Sequence, residues 1–363
     1  MIANHPSNPG PGPDVVLRPV TEHDGPALMA LLAPHRHELI GMLSLPSDEA
    51  DAVDRCRASA RMLAELGAAT FDLAPGTSRS LLLVLEQREG GGSAADVGAG
   101  VLGVTGFSCK HDVANFAVEI VTSPEGRGLS LQGAKQPWTC TELNATFLGP
   151  RARGRGLGRL LSRGRLLLLS LLTGRIPGTL VSHLRGPFDR GASAPFWDSF
   201  GAQVVPQWAT SEAAERGLAR QPSRLEDLVG HSISVEPALL DVVGSVNRAS
   251  LPAYHMLVAE GMRPNGMYDP VDGGPTLVGD VDTLTTARDR RPVAVGSSAA
   301  DEQHPLLLAR APAERFLAWL GGGRVGSHGL TVAAEETAWL ALTDDDDVVG
   351  APLGQASTAG GVR

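Results

Sequence analysis

From Leu157 to Leu172, leucine recurs at 157, 160, 161, 167, 168, 171 and 172. That is the i, i+3, i+4, i+7 spacing of a helix buried along one face. The run just before it, 141–148, alternates instead and reads as a strand. Shorter apolar runs at 15–19, 81–85, 101–107 and 179–184 read as further strands. Helical patterns fill 22–32 and 47–66, the second opened by the start signals Ser47 and Asp48. The pair 81–85 and 101–107 flanks a Gly90-Gly-Gly-Ser loop, a short helix is expected at 194–200, and a strand begins at 202–205. The order is β-α-α-β-β-β-α-β-α-β.

The junction between the fourth strand and the leucine helix is Arg151-Ala-Arg-Gly-Arg-Gly-Leu-Gly158. A glycine-rich turn from strand to helix offers unpaired N–H groups and the positive end of a helix dipole, which suits a phosphate or pyrophosphate. A dinucleotide-binding turn would show G-x-G-x-x-G, and a P-loop would show Gly-Lys-Ser/Thr; neither fits. A plain turn that uses glycine for positive φ stays open on the residues alone.

R-x-x-G-x-G (Arg153 to Gly158) in this element order resembles the GNAT superfamily of acyl-CoA-dependent N-acyltransferases. The blocks Glu142-Leu-Asn-Ala-Thr-Phe-Leu148, 149–165, 185–197 and Asp272-Gly-Gly-Pro-Thr276 are more specific. Together they resemble the arginine N-succinyltransferase family over about 15–282. The resemblance implies an α+β fold: a GNAT-like mixed, mostly antiparallel sheet flanked by helices, within 14–208. A partial second GNAT-like unit is expected at 209–290 and a small β-rich C-terminal domain at 291–354. The second unit rests on an echo: Pro195-Phe-Trp-Asp-Ser-Phe-Gly201 and Ala253-Tyr-His-Met-Leu-Val-Ala-Glu-Gly261 both read as helices closed by a left-handed glycine cap. Within the C-terminal domain a single helix is expected around 313–320. The implied activity is acyl transfer from acyl-CoA, with succinyl-CoA as the expected donor, to an amine of arginine or a related amino acid. Acyltransfer to another amine, or a non-catalytic acyl-CoA-binding subunit, are the alternatives.

Alternation in 141–148 puts Leu143, Ala145 and Phe147 on one face and Glu142, Asn144 and Thr146 on the other. A central strand is normally apolar on both faces, so the polar side points at a wet cleft. Glu142 can serve as general base for an attacking amine, or pair structurally with Arg18 or Arg185. Backbone N–H groups around Thr146 and Phe147 can hold a thioester oxyanion. The resemblance places the acyl-CoA contact of this strand at Thr146. Expected coenzyme contacts are therefore Thr146, Phe147 and Leu148, then Arg153, Gly154, Arg155, Gly156, Leu157, Gly158 and Arg159.

The pattern also breaks. The family's proton-donating His falls at Asn247 here, and Asn donates no proton at useful pH. Tyr254 and His255, on the same expected helix, are substitutes, each with a structural alternative. His231 reads as structural. The segment Gly126 to Trp138 replaces the family's polar substrate segment, and Asn144 replaces its Cys. For a guanidinium substrate, Glu119, Asp189 and Asp272 are the candidate anions.

The chain has 363 residues, 42% of them hydrophobic, and a net charge of −9, which disfavours non-specific nucleic-acid binding. Lys110 and Lys135 are its only lysines. Cys56, Cys109 and Cys140 suggest neither a disulfide framework nor a metal site. The acidic run 344–347 reads as a solvated turn, not a calcium loop. No apolar run reaches membrane-spanning length, so a cytoplasmic enzyme is expected, without metal, membrane or nucleic-acid partners. Self-association or a paired sister subunit is expected, with disordered tails at 1–13 and 355–363.

Overall fold

The structure, a computed structural model, describes residues 15–39, 42–88, 100–122, 129–188, 194–202, 226–227, 229–234, 237–295, 303–327, 329–332 and 347–353. Both expected tails, the Gly90 loop, Asp189 and most of the acidic run lie outside these residues. So does all but Ala202 of the strand expected at 202–205.

Helix α1 (Gly25–Leu32) starts later than its apolar pattern suggested. Asp24 explains the delay: its carboxylate accepts from the Thr21 amide at 2.6 Å and the Thr21 hydroxyl at 2.9 Å, which closes a turn before the helix. Helix α2 (Glu49–Gly67) starts where expected, because Asp48 caps it by accepting from the Asp51 amide at 2.9 Å. The buried side of α2 carries Ala52, Cys56, Ser59, Met62 and Leu66. Ser59 also accepts the Leu82 amide at 2.8 Å, which docks the helix on the sheet.

The strands are β1 (Val15–Pro19), β2 (Thr77–Gln87), β3 (Val101–Thr122), β4 (Leu129–Leu148), β5 (Thr179–His183), β6 (Ser232–Ser234), β7 (Arg263–Tyr268), β8 (Pro275–Asp280), β9 (Arg291–Val295), β10 (His304–Ala311), β11 (Leu317–Val325), β12 (Leu330–Val332) and β13 (Asp347–Pro352). They form one 13-stranded sheet. Its named pairs are antiparallel except β4–β5 and β12–β9, so the sheet is mixed and mostly antiparallel as expected. Strand β4 begins far upstream of 141, and the divergent segment ahead of it is largely its first half, paired with β3 from Thr122↔Leu129 onward.

Two rings of strands close within the sheet. One runs β3–β4–β5–β8–β7 and back to β3. The other runs β10–β13–β9–β12–β11 and back to β10 around Leu306, Leu308, Trp319, Leu330 and Val332. The helix expected at 313–320 is absent. A 3-10 turn (Ala313–Arg315) leads straight into β11, whose residues pair with β10 and, at Ala318, with Leu17 of β1. Long-range strand pairing overrides the local helical pattern there.

Helix α3 (Leu157–Leu171) lies beneath both halves of the sheet, touching β1, β3, β10 and β11. It is buried on nearly every side, not along one stripe. Among the described residues, helices α4 (Pro237–Leu240), α5 (Leu251–Glu260) and α6 (Thr285–Arg288) follow. Gly261 caps α5 with φ +109°, as expected. Gly201 does not match that expectation. It lies inside a π-helical turn (Trp197–Gly201) with no left-handed φ, and a Cβ there would sit 2.2 Å from the buried Trp197 ring. Close approach of an indole, not cap geometry, requires that glycine.

Candidate active site on strand β4

The expected alternation of β4 holds only as far as Asn144. Ala145 has φ +54°, and the register with β3 shifts between Val104 and Gly106. This is a β-bulge, and one extra residue reverses every side chain beyond it. Leu143 therefore packs with Phe107 and the α3 leucines, whereas Ala145 and Phe147 pack with Val84, Val104 and Leu28 on the opposite face. Glu142 and Asn144 share that second face. Thr146 does not. Its hydroxyl meets the Thr105 hydroxyl at 2.9 Å and accepts from Arg165 at 3.1 Å on the α3 side. The shared polar face expected for Glu142, Asn144 and Thr146 is thus corrected by the bulge.

Glu142 and Asn144 open into a cavity of about 530 Å³ between α2 and strands β2 to β4. Ser44, Arg55, Arg61, Arg79, Ser108 and Lys110 also line it. Asn144 donates to Ser108 at 2.7 Å, and Ser108 exchanges a hydrogen bond with Ser80 at 2.7 Å. Lys110 pairs directly with Glu142. Neither partner expected for Glu142 is engaged with it. Arg18 binds Asp24 at 2.8 Å and Glu86 at 2.9 Å, and the Arg185 guanidinium lies 4.4 Å from the Phe188 ring centre.

Burial pushes the Glu142 carboxyl up. The charges of Lys110 and His183, with hydrogen bonds from Lys110 and Asn144, more than offset this and hold it below the usual carboxylate range. Glu142 is therefore an anion at neutral pH, with more hold on a cation than basicity. At the bulge, the Ala145 amide donates at 3.0 Å to Ser44, which lines the same cavity. Past Glu142, β4 loses its pairing with β5, whose register covers only Thr141↔Leu180 and Glu142↔Val181.

Strand β4 leads through a 3-10 turn (Pro150–Ala152) into the glycine turn. Gly154 and Gly156 both have φ +76°, and a Cβ on either would meet nothing within 4 Å. Their conformation, not crowding, demands glycine. The amides of Gly154, Arg155, Gly156, Leu157 and Gly158 make no hydrogen bond of ordinary geometry to the described residues. Arg151 and Arg155 are exposed beside them. Arg153 is held back. It donates to the Leu148 carbonyl at 3.0 Å, pairs with Glu38 at 2.7 Å and lies 5.7 Å from the Phe147 ring centre, while His35 flanks that ring at 5.5 Å. Leu157 is buried, and Gly158 and Arg159 are half-buried in the first turn of α3.

Other expected residues stand apart from this cavity. The Asn247 side chain accepts the Ala249 amide at 2.9 Å, and its carbonyl accepts from Ser250 and Leu251 ahead of α5. Tyr254 packs against the main core and meets His255 edge-on. Neither lines the cavity. Asp272 is buried, and burial with the neighbouring Asp269 pushes its carboxyl up to about 8. Its carboxyl accepts the Gly274 amide at 2.9 Å within its own turn. Its block packs backbone to backbone on the 185–186 segment, where a Cβ on Gly186 would sit 2.0 Å from the Asp272 carbonyl. Ser44, Lys110 and Arg165 were missed from sequence. Lys110 alone carried a signal, as one of two lysines among 31 basic residues.

A family model described as "Arginine N-succinyltransferase beta subunit" matches residues 15–286. The arginine N-succinyltransferase of Escherichia coli (strain 55989) is 27% identical over 341 residues, 89% of this chain and 93% of that one. The one from Enterobacter sp. (strain 638) is 31% identical over 185 residues, which span 50% of this chain and 54% of that protein's length. The arginine/ornithine succinyltransferase subunit AI of Pseudomonas aeruginosa has the same fold, with a TM-score of 0.74, 20% identity, and coverage of 94% of this chain and 99% of that one. With a bulged strand running into an open glycine turn, and a family match over most of its length, the chain belongs to the arginine N-succinyltransferase beta subunit family.

Proposed function

We propose that this chain transfers an acyl group from acyl-CoA to a primary amine, and that the pair is succinyl-CoA and arginine or a closely related amino acid. One observation carries the reading. A single strand presents a carboxylate to one cavity and a bulge amide to Ser44 in its wall, then leads to a turn whose amides at 154–158 make no hydrogen bond of ordinary geometry among the described residues. Roughly 20 Å of extended strand separates Glu142 from Leu148. A coenzyme can therefore lie along β4 with its pyrophosphate on the amides of 154–158, beside Arg151 and Arg155, and its thioester at the bulge.

The chemistry follows from the groups present. The amine attacks the thioester carbonyl; a C–N bond forms, and the carbonyl electrons become an oxyanion beside the Ala145 amide. The tetrahedral adduct collapses, the C–S bond breaks, and coenzyme A leaves as a thiolate. The ammonium drawn to Glu142 gives one proton to water and attacks as the free amine; Glu142 takes the second proton from nitrogen after the C–N bond has formed. A thiolate departs without an acid, so Asn247 needs no proton. The relatives' names pair a succinyl group with arginine. Of the arginines lining the cavity, Arg55 pairs with Asp51 and Arg79 with Glu65, and together with Arg61 they give its wall a cationic side for an acyl group that ends in a second carboxylate.

The test mixes the protein with arginine and succinyl-CoA or acetyl-CoA, follows thiol release, and identifies product by mass spectrometry. Succinylated arginine is expected, and Glu142→Gln should lower kcat on the order of a hundredfold, the usual worth of a positioned base. No calorimetric heat with coenzyme A, acetyl-CoA or succinyl-CoA would defeat the reading. Turnover only with another amine would remove arginine from it.

A further inference from the structure

Arg165 is the odd residue of α3. Its neighbours at 166–169 are buried leucines, yet Arg165 is itself only 3% exposed. No acid pairs with it among the described residues, and its Nε has no hydrogen-bond partner there. A buried guanidinium without a counter-ion is costly, and an apolar side chain would pack at lower cost. Arg163, two residues earlier, shows the ordinary solution: it pairs with Glu260 at 2.8 Å.

What Arg165 does contact is the bulge. Its Nη1 donates to the Gly106 carbonyl at 2.9 Å, the Asn144 carbonyl at 3.1 Å and the Thr146 hydroxyl at 3.1 Å. The Asn144 carbonyl belongs to the same peptide group as the Ala145 amide. The carbonyl end faces the cation below the sheet. The N–H end, directed the opposite way, donates to Ser44 in the cavity wall. A cation on the oxygen of a peptide withdraws electron density from its nitrogen, so the N–H becomes a stronger donor.

We propose that Arg165 is a positioning residue for acyl transfer: it clamps the bulge between β3 and β4 and, through the Asn144–Ala145 peptide, strengthens the Ala145 amide that receives the thioester oxyanion. The inference rests on the proposed function. The charge stays out of the cavity, where it would compete with the amine, and acts through one peptide group.

Asn144–Ala145 is the only place in the chain where alanine follows asparagine. Carbonyl-labelled asparagine with nitrogen-labelled alanine thus yields one NMR cross-peak, which reports this peptide without any ligand. In Arg165→Met the Ala145 amide proton should move upfield and exchange faster. The kcat should fall about tenfold or more, given what a single oxyanion donor is worth. Affinity for coenzyme A should stay within about threefold, because uniform binding is untouched. Arg165→Lys keeps a charge on a shorter side chain that reaches the carbonyls less closely, and it should give a smaller shift in the same direction. Arg163→Met removes the other buried arginine of α3 and should move neither cross-peak nor kcat. An unmoved cross-peak in the Arg165 variants overturns the proposal, as does an equal change in Arg163→Met. If Arg165→Met does not fold, Arg165→Lys decides by the same cross-peak. A wild-type protein that binds no acyl-CoA while its cross-peak still answers to Arg165 would remove the proposed function and leave the clamp standing.

Discussion

Replacing Gly156 by alanine separates what the glycine turn costs from what it does. Gly156 has φ +76° and ψ −6°, and a Cβ there meets no atom within 4 Å. The new methyl therefore creates no clash. The cost is conformational, about 1–2 kcal/mol for an L-residue held left-handed. The Gly156→Ala chain has two responses. It can keep the turn and lose that stability. It can instead relax to negative φ, keep its stability, and turn the amides of 156–158 away from the anion. In the second case only the competent fraction binds, and the measured Kd rises by the inverse of that fraction. The two losses are one strain seen twice, so together they should come to about 1–2 kcal/mol. Expressed wholly as binding, that weakens coenzyme A roughly five- to thirtyfold. Urea unfolding gives the first loss and isothermal calorimetry with coenzyme A gives the second. If both stay at wild-type values, the turn does not depend on a left-handed residue at 156. If the variant fails to fold at all, the absence of crowding is wrong.

Two further predictions come from buried titratable groups. Burial pushes the Asp24 carboxyl up, but hydrogen bonds and charge from Arg18, together with Thr21, hold it below its ordinary value. Its stabilising effect is therefore complete above the unfolded pKa, near 4, and is lost as pH falls through the folded one. Asp24→Asn should be less stable at neutral pH and should lose less on acidification; an acid unfolding slope equal to wild type would contradict this. Burial pushes the thiols of Cys56 and Cys140 up to about 11 and that of Cys109 up to about 12. All three should resist iodoacetamide at pH 8 in the folded protein and react together on unfolding; rapid labelling of native protein, read by mass spectrometry, would contradict their burial.

The features of the site that were legible in the sequence are those made within a few residues. The glycine turn needed only Gly154 and Gly156 before a leucine helix, and the start of α2 needed only Asp48. The missed features join distant segments. Arg165 reaches Gly106 across 59 positions, and Ser44 reaches the Ala145 amide across 101. The bulge itself is a shift in the register of β4 against β3, which no window on β4 alone reveals.

The chain's own order of residues determined helices α2 and α3, the strands around 15–19, 81–85, 101–107, 141–148 and 179–184, its glycine turn and its kinship, because periodicity, caps and positive-φ glycines are local preferences that survive without partners. Tertiary packing alone decided that Thr146 turns away from Glu142, that Lys110 and not Arg18 or Arg185 answers the carboxylate, and that 317–325 is a strand. Each of those outcomes is set by a competition for space or charge between segments far apart in sequence. Such competitions resolve only once the sheet has closed.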